Sequence, residues 1–234
     1  MFAIYKRELR AYFTTPVGYV FLALFLAVGG AAFCYTTLYA MSGSTTTFFM
    51  LTLYANVVLL PLLTMKLFSE EKRQRTEQLL LTAPVSITGM VIGKFLAAFT
   101  IFFGAHTVTS LYTLFLYRFA DVKTAILLGN YLAVLLAGAS FIAVGIFVSS
   151  VTENQLAAAI GTIAILILFL LMTLLSSLFS GYWVRYIFDC FSVFSRFANF
   201  TNGIFDIAAL VYYLSITAVF LFLTVRVFDR RRVS

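Results

Sequence analysis

The chain has 234 residues, 62% of apolar types and 11% charged, with a formal net charge of +7 and a mean hydropathy of +1.02. A soluble domain runs nearer about 45–50% apolar and about 25% charged, and a globule of this size cannot hide so much hydrocarbon from water. With 27 Phe, 13 Gly, 3 Pro and 2 Cys, disordered, collagen-like and disulfide-scaffold classes are excluded too. What remains is an all-α polytopic membrane protein.

Residues 1–15 form the first unit. Phe2, Tyr5, Leu9, Tyr12 and Phe13 fall on one helical face, and Lys6, Arg7 and Arg10 on the other. This predicts an amphipathic helix lying in the membrane interface, which Pro16 ends so that the chain can turn into the bilayer. A cleaved signal peptide is not expected, because the basic start runs into a span-length apolar stretch without a small-residue cleavage site.

A membrane helix needs about 20 apolar residues to cross roughly 30 Å of hydrocarbon. The uncharged stretches between Arg10 and Lys66, Lys94 and Arg118, Lys123 and Glu153, Glu153 and Arg185, and Asp206 and Arg226 then give six spans. They are expected at residues 17–40, 46–68, 89–117, 125–150, 155–177 and 207–227. The first stretch holds two of them, broken at Ser42-Gly43-Ser44-Thr45. The runs are long and continuous rather than alternating, so they read as helices and not barrel strands.

Six spans place both termini on one side. Lys6, Arg7, Arg10, Lys66, Lys72, Arg73, Arg75, Lys94, Arg226, Arg230, Arg231 and Arg232 fall on that side, against Arg118, Lys123, Arg185 and Arg196 on the other: 12 of the 16 basic residues. The positive-inside rule makes the terminal side cytoplasmic. The positive charge suits anionic lipid headgroups and calls for no nucleic-acid partner.

Residues 69–84, between spans two and three, carry Glu70, Glu71, Lys72, Arg73, Arg75 and Glu77 among helix formers, with Pro84 as the stop. One helix is expected, with Glu71 and Arg75 as an i, i+4 pair. So mixed a face invites a protein partner, although an ordinary basic loop would share its composition. On the opposite side, residues 178–205 are crowded with aromatics from Phe179 to Phe200 around Trp183. These read as external helices lying in, or dipping into, the interface. Gly29-Gly30, Gly89, Gly93, Gly138, Gly145 and Gly161 are small residues of the kind that let helices approach closely in lipid.

Site chemistry is sparse. Cys34 and Cys190 are too far apart in sequence to read as a framework, and Asn199-Phe200-Thr201 is a weak glycosylation match. No metal-ligand spacing appears. His106, the one histidine, is expected to hydrogen-bond a neighbouring helix. The hydroxyls at Thr36, Thr37, Thr64, Thr107, Thr109, Ser110, Ser140, Thr173, Ser176 and Ser177 are expected to bond their own helix backbones, with a cargo-lining role as the alternative. No acidic residue lies inside a span, so an ion-coupled relay lacks its usual parts. Gly93-Lys94 is followed by Phe95 rather than Ser or Thr, so there is no P-loop. The chain is therefore not expected to be an enzyme, and any ATP-driven work must draw on a partner.

Three motifs in order carry a family resemblance. Glu71, Arg73, Thr76, Glu77, Leu79, Leu80 and Pro84, followed by Gly93-Lys94, resemble the cytoplasmic segment of ABC-2-type permeases. The start, with Tyr5, Lys6, Arg7, Leu9, Arg10, Phe13 and Pro16, is similar to that family's entry helix. Residues 197–206 and 212–215 are similar to its gliding-motility-type branch. The resemblance implies a single ABC-2-type transmembrane domain over residues 1–234, with residues 1–15 as an elbow helix. Residues 69–84 become a coupling helix, in which Glu70, Glu71, Arg73, Arg75 and Glu77 supply docking charges and Leu79 and Leu80 an apolar anchor. It further implies a bacterial inner-membrane permease with two partners: a second permease subunit, as homo- or heterodimer, and a cytoplasmic ATPase binding ATP and Mg. The chain itself would hold no cofactor, and its substrate residues are unassigned. The short 149–154 loop could make only a minor ATPase contact. An exporter subunit is the leading expectation. A subunit transmitting ATP-driven motion to envelope or gliding machinery is the second, and an unrelated intramembrane enzyme or channel the third.

Overall fold

A computed structural model describes residues 1–40, 45–76, 86–118, 123–178, 192–201 and 206–233. Among them every regular element is helical: α1 (Phe2–Thr14), α2 (Pro16–Phe33), α3 (Thr45–Thr64), α4 (Ser69–Arg73), α5 (Ile87–Ser110), α6 (Thr124–Val151), α7 (Gln155–Leu178), α8 (Val193–Thr201) and α9 (Ile207–Val233). A π-helical stretch, Cys34–Tyr39, extends α2, and a 3-10 stretch, Leu111–Arg118, extends α5. Six helices are long and apolar enough to cross a membrane, so the chain is a multi-pass membrane protein.

The start of the fold follows local chemistry. Pro16 sits in the first turn of α2, where its missing N–H costs nothing, and it holds Thr15 in extended backbone (φ −107°, ψ 151°). That sharp corner brings Gly18 under α1: a Cβ there would stand 2.1 Å from the Tyr12 carbonyl oxygen.

α6 is the hub, packing against α3, α5, α7, α8 and α9. It runs in the same direction as α3. Asn130 donates to Thr46 Oγ1 (3.4 Å) at one end, and Ser149 donates to the Met65 carbonyl (3.2 Å) at the other. Glycines permit the close approach: a Cβ on Gly138 would fall 2.2 Å from the Phe102 ring, and one on Gly145 2.1 Å from Thr64 Oγ1. Gly29 meets Thr109 in the same way, whereas Gly30 faces open space. α8 covers the end of the bundle remote from the termini. Val193, Phe194, Phe197 and Phe200 are buried, Phe194 stacks on Tyr54 at 5.5 Å, and Tyr213 donates to the Val193 carbonyl (2.8 Å). The rest of the aromatic stretch, 179–191 and 202–205, lies outside the described residues.

Two expectations are corrected. The 69–84 segment does not begin as one long helix. α4 closes at Arg73, and Arg75 follows at φ +56°, a left-handed conformation that costs a side-chain-bearing residue about 1–2 kcal/mol. The Glu71–Arg75 pair therefore loses its helical geometry, and Glu71 pairs elsewhere. His106, in turn, makes no hydrogen bond of standard geometry through either ring nitrogen, although the Tyr131 backbone of the neighbouring helix lies near the ring. The hydroxyl expectation fares otherwise. Thr36, Thr64, Thr107, Thr109, Ser110, Ser140, Thr173 and Ser176 all donate to carbonyls of their own helices, while buried Thr37 has no partner.

Candidate functional site

The densest polar constellation lies on the face that carries both termini. Its centre is Lys94, seven residues into α5 and only 1% exposed. An ammonium inside an apolar helix must be paired or be neutralised. Here Nζ reaches Glu71 Oε1 at 2.8 Å and Glu8 Oε1 at 3.3 Å, donates to the Leu67 carbonyl at 2.5 Å, and stands 4.7 Å above the Phe68 ring. Arg7 closes the ring, with Nη2 2.6 Å from Glu8 Oε1 and 2.9 Å from Glu71 Oε1. Two cations and two carboxylates thus join α1, α4 and α5. Burial disfavours the charge on Arg7, but hydrogen bonds and attraction from Glu8 and Glu71 outweigh it and raise its pKa.

α1 is held to the bundle by further contacts. Tyr12 is buried and donates to the Leu63 carbonyl (3.0 Å). Burial first, and the charge of Glu8 second, push its phenol above the ordinary range. Tyr5 shares a 3.2 Å hydrogen bond with Thr100. Gly93 lets the helix start come close, because a Cβ there would meet the Met1 carbonyl oxygen at 3.3 Å. Leu9 is half-buried, whereas Lys6, Arg10, Phe13 and Pro16 are exposed. Between α1 and α4 the ring borders a cleft of about 310 Å³, lined also by Thr15, Lys66, Glu70 and Gln74.

A second set of contacts ties α4 to α6. Ser149 Oγ accepts the N–H groups of Phe68 and Ser69, both at 3.1 Å, and so caps the start of α4 from another helix. Lys72 reaches Glu153 at 3.3 Å and the Val151 carbonyl at 3.3 Å. From α9, Arg231 donates to the Ser150 carbonyl (3.0 Å).

The sequence-derived site residues therefore divide. Arg7 and Glu71 belong to the ring. Glu70 pairs with Lys66 at 3.8 Å and accepts from Gln74 Nε2 at 3.3 Å, and Thr76 donates to the Glu71 carbonyl at 3.3 Å. Arg73 and Arg75 are exposed. Glu77, Leu79, Leu80 and Pro84 lie outside the described residues. The sequence reading gave Glu8 no role and placed Ser149 only in a short loop, and Lys94 entered it as a span boundary, a terminal-side cation and a motif match. The available signal was physical: a lysine embedded in an apolar helix requires a carboxylate, and Glu8 and Glu71 are among the few on its side.

Further along α5, His106 is fully buried in an aromatic box. Tyr131 lies over it at 5.0 Å, Phe102 at 5.8 Å, and Phe49 meets it edge-on at 5.9 Å. The Tyr131 hydroxyl pairs with Thr107 (2.8 Å), and nothing there assembles a nucleophile and base. Among the described residues no group of three His, Cys, Asp or Glu could hold a metal. No protein-family model matches the chain, and no curated protein matches it.

Proposed function

We propose that the chain is the permease subunit of an ATP-driven ABC transporter, an exporter, working as a dimer with a separate ATPase that binds ATP and Mg. In this reading the terminal face is cytoplasmic, the membrane is the bacterial inner membrane, α1 is the elbow helix and α4 opens the coupling segment. The observation that carries the reading is the Lys94 ring. A partner pushing on the exposed 73–75 corner displaces Glu71, and Glu71 cannot move without disturbing α1 and the buried cation of α5. A surface event is thereby converted into movement of a span, which is what coupling to an external ATPase requires.

The docking assignment changes accordingly. Glu71 is an internal strut, so its reversal would confound docking with folding. Arg73 and Arg75 are the accessible docking charges. Co-expression with the ABC ATPase encoded beside this chain, followed by co-purification, tests the reading. The parent should retain the ATPase and stimulate its turnover. An Arg73→Glu/Arg75→Glu double variant should lose both while keeping its thermal stability, and normal association in that variant would sink the assignment.

The likeness of residues 197–206 and 212–215 to the gliding-motility-type branch favours a second reading, in which the subunit transmits motion to envelope machinery and moves no solute. Stimulation of ATPase turnover by a purified cargo candidate distinguishes export from that alternative.

A further inference from the structure

A different face of α5 borders a groove of about 520 Å³ shared with α9. It is lined by Val91, Ile92, Ala218, Leu221, Phe222 and Val225. Its polar end, at the terminal face, holds Thr88, Arg226 and Asp229. From Ala218 to Arg226 the helix rises about 12 Å, against roughly 30 Å for the whole hydrocarbon layer. The groove is therefore one leaflet deep, apolar along its length and charged only where headgroups lie.

Arg226 is exposed and sits over the Phe222 ring at 5.0 Å. Among the described residues neither Arg226 nor Asp229 makes an ion pair. They stand one turn apart on α9, so a cation and an anion face the same opening. Arg230 and Arg232, exposed on the same helix end but not lining the groove, add positive potential around it.

We propose that this groove binds one glycerophospholipid of the terminal-side leaflet, and that it selects an ethanolamine headgroup. The phosphodiester accepts from Arg226, and the ammonium donates to Asp229. One acyl chain fills the space between α5 and α9. The opposite signs of the two side chains carry the selectivity. A phosphoglycerol headgroup satisfies Arg226 but offers no cation to Asp229. A phosphocholine headgroup offers a cation without an N–H to donate. The apolar walls require a lipid rather than a free phosphate ester.

The test places the full chain in nanodiscs of equimolar phosphatidylethanolamine, phosphatidylglycerol and phosphatidylcholine. Lipid retained after extraction into mild detergent is then quantified by native mass spectrometry. Phosphatidylethanolamine should be enriched about five- to tenfold over the other two, as expected for two charge-assisted contacts. Arg226→Gln should return retention to the bulk ratio. Asp229→Asn should keep a bound lipid but shift preference to phosphatidylglycerol, a switch that a merely destabilised protein would not show. Ile92→Trp, which fills the groove and leaves both charges in place, should abolish retention at unchanged thermal stability. Retention of all three lipids at their bulk ratio would overturn the proposal. So would an unchanged preference in Asp229→Asn, or a parent chain that retains no lipid.

Discussion

Lys94 and His106 lie on the same helix, three turns apart, and both are buried, yet α5 accommodates them in opposite ways. Around Lys94 every donor is directed at an acceptor: two carboxylates, a carbonyl and a ring face. Around His106 the two nitrogens make no hydrogen bond of standard geometry and the ring is enclosed by aromatic planes. The difference reflects charge. An ammonium cannot be buried without counter-charges. An imidazole can lie in an apolar box as a neutral ring, with stacking offsetting part of the lost hydration. One end of α5 is thus fixed by electrostatics in a definite geometry, and the other only by shape.

Removing the cation is the severest way to break this contrast. Lys94→Ala leaves two partly buried carboxylates with Arg7 as their one remaining cation in the ring and should destabilise the protein by about 3–5 kcal/mol, read as a lower thermal midpoint in detergent. A change under about 1 kcal/mol would mean that the ring is ornamental. Gly138→Ala tests the shape-held end, since the new Cβ collides with the Phe102 ring that stacks on His106. Overpacking of this kind costs about 1–3 kcal/mol, and unfolding in urea-containing detergent would register it.

Within the ring, Glu8→Gln and Glu71→Gln should each cost about 1–2 kcal/mol, because each is a hydrogen bond to a charged group. Their double variant should depart from additivity by at least about 0.5 kcal/mol, since both carboxylates serve Lys94 and Arg7. Strict additivity would separate α1 from α4 energetically. A smaller effect is expected from pH. Tyr12 has its pKa raised in the fold, so stability from its neutral phenol is complete below about pH 10. It falls as the pH rises further, because the unfolded chain then releases a proton that the fold retains. Tyr12→Phe should flatten that alkaline slope. Smallest of all, His106→Phe should leave stability within about 1 kcal/mol or improve it, because it replaces an unsatisfied ring by an apolar one of similar shape. A large loss there would reveal a partner for the imidazole and erase the contrast.

The six spans were legible because hydrophobic thickness acts on composition alone: uninterrupted stretches such as Lys123 to Glu153 admit little else. The α1 corner was legible because Pro16 restricts its neighbour locally. What stayed hidden was set by tertiary partners. Nothing in the order of residues around Ser149 announces that its hydroxyl caps a helix 80 positions away in the chain. The end of α4 at Arg73 runs against its helix-forming composition, and so does the left-handed Arg75. Burial on α6 was half visible. In lipid, apolarity does not separate inside from outside, but side-chain size does, and the small residues Gly138, Ser140 and Gly145 mark the hub. Leu- and Ile-rich α7, by contrast, exposes Leu156, Ile160, Leu171 and Leu174.

The Ser149 hydroxyl serves three backbone groups at once: the amides of Phe68 and Ser69, and the carbonyl of Met65. Such a junction behaves like a pin through several plates. A slide of α6 along its axis strains all three contacts together, while Lys72 still reaches Glu153 and the Val151 carbonyl. A methyl group in place of that hydroxyl, Ser149→Ala, would remove all three contacts at once and leave the Phe68 and Ser69 amides without their cap.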